Sequence, residues 1–255
     1  MTKVYITGCG FITSIGNSEE SVLSSLRFSK SGVALHSELQ RDDSPVKVAG
    51  TIKEFETSAF DPEDWDYPSH YTVRRDVLRS FSPHVLYAWC AMQQIIETTG
   101  LQKEDISNKD TGIYTASGGS MGRIHNHLDK LEKQGVMSCS PMGIVASISG
   151  TLSFNLVSAL GIRGFSCGQA SACASSGHSL GFAFDEIRMG RQKRMFVVGA
   201  EDCDFHSIVP FCGMRALSLD PDPSTASRPF DKDRQGFVST GGGVVLVLEL
   251  SLIHI

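Results

Sequence analysis

The stretch Cys173-Ala-Ser-Ser-Gly-His-Ser-Leu-Gly-Phe-Ala-Phe-Asp-Glu-Ile-Arg-Met-Gly-Arg-Gln-Lys-Arg-Met-Phe-Val-Val198 decides the fold class. From Cys173 to about Met189 it is apolar on several faces, through Leu180, Phe182, Phe184 and Ile187, which predicts a buried helix. Gly190 ends that helix, and Met195-Phe-Val-Val198 predicts a short buried strand. The same alternation continues outward. Val4 to Thr7 reads as a strand. Asn17 or Ser18 caps a helix with Val22, Leu23 and Leu26 on one face. Ser82-Pro83 starts a helix, with Ser as cap and Pro at the first helical position, and Gly100 closes it. Thr111 to Thr115 reads as a strand leading through Ser117-Gly-Gly-Ser-Met-Gly122 into a helix carrying Leu128 and Leu131. Gly241-Gly-Gly precedes a strand from Val244 to Leu248, while 36–76 and 220–234 read as loops. Short buried strands between helices predict an α/β fold, with helices covering a largely parallel sheet.

Composition narrows the function. The 255 residues are 41% hydrophobic and 20% charged, too apolar for a disordered chain. The net charge of −5 argues against a bulk electrostatic grip on nucleic acid or an anionic membrane. No run reaches the roughly 18 apolar residues of a membrane span, and the N-terminus makes a poor signal peptide. The seven cysteines are odd in number and irregularly spaced, without a Cys-x-x-Cys pair. That disfavours a disulfide framework or a zinc site and predicts a reducing cytoplasm.

Two glycine clusters invite a nucleotide-binding reading and do not support it. Gly8-x-Gly10 has Thr13 where a third glycine belongs, so it reads as a turn. Gly241 to Gly243 opens onto a strand, whereas a phosphate cradle opens onto a helix. The chemistry points to Cys173. Ala170, Ser171, Ala172, Ala174, Ser175, Ser176 and Gly177 surround it with small side chains that let the chain turn sharply from strand into helix. A cysteine there feels the positive end of the helix dipole, which favours thiolate, and the local N–H groups can hold an oxyanion. This is the logic of a nucleophile elbow with Cys in place of Ser. From chemistry alone, a catalytic and a structural Cys173 stay equally open. His178 lies about 140° around the helix from Cys173, so it reads as a packed neighbour and not as its base. His125 and His127 read as solvated residues of a surface helix. Arg74, Arg75 and Arg79 form a compact basic cluster, for which an ordinary solvated face is at least as good a reading as a docking patch.

At Cys173 the chain resembles the beta-ketoacyl-[acyl carrier protein] synthases, and the resemblance runs almost its full length. It is carried by Ala172-Cys-Ala-Ser-Ser175 within Ser171 to His178, by the opening Val4 to Asn17, by Lys30-Ser-Gly32 and by Ser117-Gly-Gly119. Val198-Gly-Ala-Glu201, Phe211 through Arg215-Ala-Leu-Ser218, and above all Ser227-Arg-Pro-Phe-Asp-Lys-Asp-Arg-Gln-Gly-Phe-Val238 complete it. Departures stand at Phe165, Gly168, Thr240 and Gly241.

The resemblance implies a thiolase-like fold of two similar halves, each a mixed, mainly parallel sheet layered with helices, of which this is the first. It implies a 3-oxoacyl synthase of fatty acid biosynthesis, with Cys173 as the acyl-carrying nucleophile and Phe211 and Gly119 as acyl-pocket residues. Substrates would arrive on the phosphopantetheine of an acyl carrier protein, with no bound cofactor or metal, and the enzyme would be a cytoplasmic homodimer. The resemblance makes residues 1–249 the N-terminal domain; the family's catalytic His pair and Lys belong to the second half, so this 255-residue chain alone is expected not to condense. A polyketide ketosynthase and a non-catalytic chain-length partner are the rival readings. The second is disfavoured because such partners lack the cysteine. Residues 250–255, Leu-Ser-Leu-Ile-His-Ile, depart from the family's acidic continuation and read as a non-native, adapter-derived tail.

Overall fold

The structure, a computed structural model, describes residues 3–250. The tail expected to be non-native lies outside the described residues from position 251 onward. Leu250 itself is the last residue of a strand and pairs with Val4. In chain order the elements are β1 (Val4–Thr13), α1 (Glu19–Arg27), β2 (Val33–Leu35), β3 (Val48–Gly50), α2 (Arg75–Leu78), α3 (Pro83–Thr99), α4 (Lys103–Ile106) and β4 (Thr111–Ala116). These are followed by α5 (Met121–Gln134), α6 (Thr151–Leu160), β5 (Ser166–Gln169), α7 (Ser175–Arg188), β6 (Arg194–Glu201), α8 (Phe205–Ile208) and β7 (Gly242–Leu250).

Five strands form one mixed sheet in the order β1-β7-β6-β4-β5. β6, β4 and β5 pair in parallel, and β7 is antiparallel to both β6 and β1. Four strands therefore run one way and β7 alone runs the other. β2 and β3 form a separate antiparallel hairpin sheet. The two faces of the main sheet are unequal. On one face, α3 and α6 cover a large core with Phe81, Leu86, Met92, Ile95, Leu152, Leu156, Phe196, Val198, Val245 and Val247. On the other, α7 covers a smaller cluster of Tyr114, Ala183, Ile187, Met195, Val197 and Leu248.

α7 begins at Ser175, two residues after Cys173, and is less buried than its composition predicts. Ala183 and Ile187 are inside, but Phe182 and Phe184, on either side of Ala183, are exposed. The apolar stripe on α1 is also only partly used: Val22 is buried, while Leu23 and Leu26 face outward. Ser18 and not Asn17 caps α1. The Ser18 hydroxyl accepts the Ser21 N–H at 3.2 Å, and the Ser21 hydroxyl accepts the Ser18 N–H at 3.0 Å. Ser18→Ala is expected to cost about 1 kcal/mol of stability, measured by urea unfolding.

Two local expectations are corrected. Ser82 precedes α3 but its side chain makes no cap bond. The carboxylate of Asp202, which follows β6, accepts the His84 N–H at 2.6 Å and does the capping from a distant segment. Gly8 and Gly10 do not form a turn. They lie inside β1, which runs on to Thr13, with a register shift between Ile6 and Gly8. A Cβ on Gly10 would stand 2.1 Å from the Ala91 carbonyl oxygen of α3. The glycine is there so that helix and sheet can approach closely.

Candidate active site

The chain leaves β5 at Gln169 and enters α7 at Ser175, and the corner between them holds Cys173. Ala172 sits in the left-handed region (φ +51°), a conformation an L-residue adopts at some cost and one that commonly marks a functional turn. The corner is tied by its own hydroxyls. Ser175 Oγ accepts the Ser171 N–H at 2.8 Å and donates to the Ala172 carbonyl at 2.7 Å. Cys173 is thereby presented at the N-terminal end of a fourteen-residue helix, exposed to solvent. The elbow read from the sequence is present.

Cys173 opens into a cavity of about 570 Å³ at the carboxyl ends of the parallel strands. Its walls come from β1 (Thr13), β4 (Ala116), β6 (Gly199, Ala200, Glu201), β7 (Val244, Leu246) and the turn of α7 (Ser176, Leu180). Among the described residues that line it, Glu201 is the one carboxylate and no histidine is present. His178 Nδ1 lies 2.7 Å from Ser171 Oγ, and its ring meets that of Phe182 at 6.3 Å on the exposed surface of α7. His125 is exposed as expected, but it stacks on His206 at 4.1 Å, and burial together with the His125 charge holds His206 below the usual imidazole range. His127 is half-buried, against Gly143.

Gly119 and Phe211 do not line the Cys173 cavity in this chain. Gly119 is buried in the turn after β4 (φ +86°), where a Cβ would stand 2.7 Å from the Ser147 carbonyl oxygen, so glycine is required there. Phe211 is 42% exposed and meets Phe237 edge-on at 5.7 Å, which joins two of the segments singled out in the sequence. The basic cluster is largely neutralised. Arg74 pairs with Asp76 at 2.5 Å, while Arg75 and Arg79 both pair with Glu63. Burial pushes up the thiols of Cys9, Cys90 and Cys212, and that of Cys203 to about 12, which leaves them as packing. Among the described residues no group of three or more His, Cys, Asp or Glu side chains is placed to hold a metal ion. No helix among them is long and apolar enough to cross a membrane.

Sequence reasoning missed the acidic pair at the end of β6, Glu201 within the strand and Asp202 just after it. Glu201 Oε1 accepts the Gly118 N–H at 2.7 Å. Burial raises its carboxyl above the usual range, against the lowering effect of that N–H. Asp202 accepts the Ser120 hydroxyl and lies 2.9 Å from His84 Nδ1. Two adjacent acids at the end of a buried strand were the available signal, because acids there need partners.

Comparison with known proteins follows the same lines. Residues 1–252 match the family described as beta-ketoacyl synthase, N-terminal domain. The 3-oxoacyl-[acyl-carrier-protein] synthase 1 of Haemophilus influenzae is 34% identical over 255 residues, covering 98% of this chain and 59% of that protein. The Escherichia coli protein of the same name is 32% identical over 254 residues, with the same coverages. A crystal structure of a beta-ketoacyl synthase from Burkholderia phymatum superposes with a TM-score of 0.84 at 25% identity, over 98% of this chain and 59% of that one. The ishigamide ketosynthase/chain length factor superposes at 0.79 and 25% identity, over 98% and 59%. The chain thus spans about 59% of the length of the curated relatives it matches.

Proposed function

Because this chain belongs to the beta-ketoacyl synthase family, we propose that it carries the acyl-accepting half of a 3-oxoacyl-[acyl carrier protein] synthase of fatty acid biosynthesis, with Cys173 as nucleophile. The carrying observation is the strained corner at Ala172, which presents Cys173 to a cavity at the strand ends.

The Cys173 thiolate attacks the thioester carbonyl of an acyl carrier protein. The N–H groups at the start of α7 receive the oxyanion, and the carrier's phosphopantetheine thiol leaves. A malonyl carrier protein then loses carbon dioxide, and its enolate carbon attacks the Cys173 thioester. The new carbon–carbon bond gives a 3-oxoacyl product, and the Cys173 thiolate departs. In the complete enzyme Gly119 and Phe211 are acyl-pocket residues on the strength of the family resemblance, although neither lines the Cys173 cavity of this chain. The partner is an acyl carrier protein, and the working unit is a cytoplasmic homodimer.

Retention of Cys173 favours this reading over a non-catalytic chain-length partner. Incubation of the chain with an acyl carrier protein thioester, followed by peptide mass spectrometry, is expected to place the acyl group on Cys173. The chain alone is expected to release no 3-oxoacyl product when malonyl carrier protein is added, since no described histidine lines the cavity to assist decarboxylation. Product detected above a control without protein would refute that expectation.

A further inference from the structure

We propose that Glu201 is a specificity-determining residue of the Cys173 cavity. Held in place by the Gly118 N–H, its side chain forms part of the cavity wall at the end of β6 and so sets the length and width of chain that Cys173 accepts.

Three observations carry this. Glu201 belongs to both places: it lines the cavity with Cys173, and its Oε1 accepts the Gly118 N–H at 2.7 Å. The carboxylate also lies flat over Gly118, with Oε2 3.3 Å from where a Cβ would stand. Second, the next residue works on the other end of the same turn. Asp202 takes the Ser120 hydroxyl and the His84 N–H, so adjacent side chains clamp the turn at residues 118 and 120. The clamp closes on a segment with no slack, because Ser117 Oγ accepts the Gly119 N–H at 3.0 Å and Ser120 N–H bonds the Ser147 carbonyl at 2.8 Å. Third, Glu201 has no Lys or Arg ion-pair partner among the described residues. The Gly118 N–H is therefore the bond that holds its carboxylate in the cavity wall.

The inference rests on Cys173 being the acyl-carrying residue, but its test does not require acyl transfer. The chain is treated with iodoacetamide and, separately, with an iodoacetamide bearing a long N-alkyl tail. The alkylation rate of the Cys173 peptide is followed by mass spectrometry, which separates it from exposed Cys167. The ratio of the two rates reads cavity shape, and the short-reagent rate reports that Cys173 remains accessible. Glu201→Gln keeps the reach and the acceptor oxygen, whereas Glu201→Asp keeps the charge and loses one methylene. Glu201→Ala and Glu201→Asp are expected to change the ratio about tenfold, with Glu201→Gln within about twofold of the parent. An unchanged ratio in Glu201→Ala overturns the proposal. So does a Gln variant that shifts as far as Ala, since charge and not position would then be responsible. If the Ala variant does not fold, the Asp and Gln variants decide between the same outcomes. Acyl capture from a carrier thioester is read separately, so failure there would fall on the proposed function alone.

Discussion

Cys173→Ala is expected to abolish acyl capture from an acyl carrier protein thioester, a loss on the order of 10³-fold or more. The size follows from the role. The sulfur is the atom that forms the bond, and the elbow around it supplies geometry but no second nucleophile. Of the elbow hydroxyls, that of Ser175 is buried and committed to Ser171 and Ala172. Cys173→Ser should retain only a trace, because an alcohol without a neighbouring base is almost wholly protonated near neutrality. Cys167 is the other exposed thiol, and it lies on β5 before the corner. Cys167→Ala should therefore leave capture at the parent rate. The measurement is intact-protein mass after exposure to the thioester. Persistent acylation of the folded Cys173→Ala protein would remove Cys173 from the mechanism.

Gly10→Ala is expected to destabilise the fold by about 3 kcal/mol or more, at the upper end of what overpacking costs. The added methyl would stand 2.1 Å from the Ala91 carbonyl oxygen, 2.9 Å from its carbon and 3.2 Å from Ile95 Cγ1. The first two are backbone atoms of α3, so no rotamer change relieves the clash. Relief needs α3 to move off β1, and α3 supplies much of the larger core, with Leu86, Cys90, Met92 and Ile95 fully buried. Gly8→Ala is the control. Its methyl would meet the Thr99 side-chain methyl at 2.7 Å, which can turn away, so the cost should be clearly smaller. Urea unfolding of both variants gives the comparison, and equal costs would show that close approach of the α3 backbone is not what selects glycine at position 10.

Much of this architecture was legible along the chain, for local reasons. β4, β6 and β7 are short apolar runs, and α3 carries Pro83 at its first position and Gly100 at its end (φ +68°). The elbow was legible because a crowd of small residues around one cysteine has few other uses. What was not legible depended on partners far away in sequence. Gly8 and Gly10 looked like a turn because nothing nearby shows that a helix 80 residues later will press against them. The basic cluster at Arg74, Arg75 and Arg79 looked free because Glu63, which takes two of the three guanidiniums, sits 12 and 16 residues earlier in the short helical turn Pro62–Asp64. Likewise Phe182 and Phe184 look like core in a one-dimensional pattern, yet both are exposed, flanking the buried Ala183 on either side of α7.

By itself the sequence determined the alternation of strand and helix, the cysteine elbow at 170–175 and, through the segments at 4–17 and 227–238, the family. Those depend on residue type, spacing and local chain stiffness. Only the tertiary structure decided what surrounds Cys173. The strand order β1-β7-β6-β4-β5 brings Thr13, Ala116, Glu201 and Gly242 to one cavity from four distant parts of the chain. It also sets Asp202 beneath α3 and Glu201 over Gly118. Neighbours in a sheet are chosen by hydrogen-bond pairing and core packing across the whole domain, and no stretch of sequence carries that information alone.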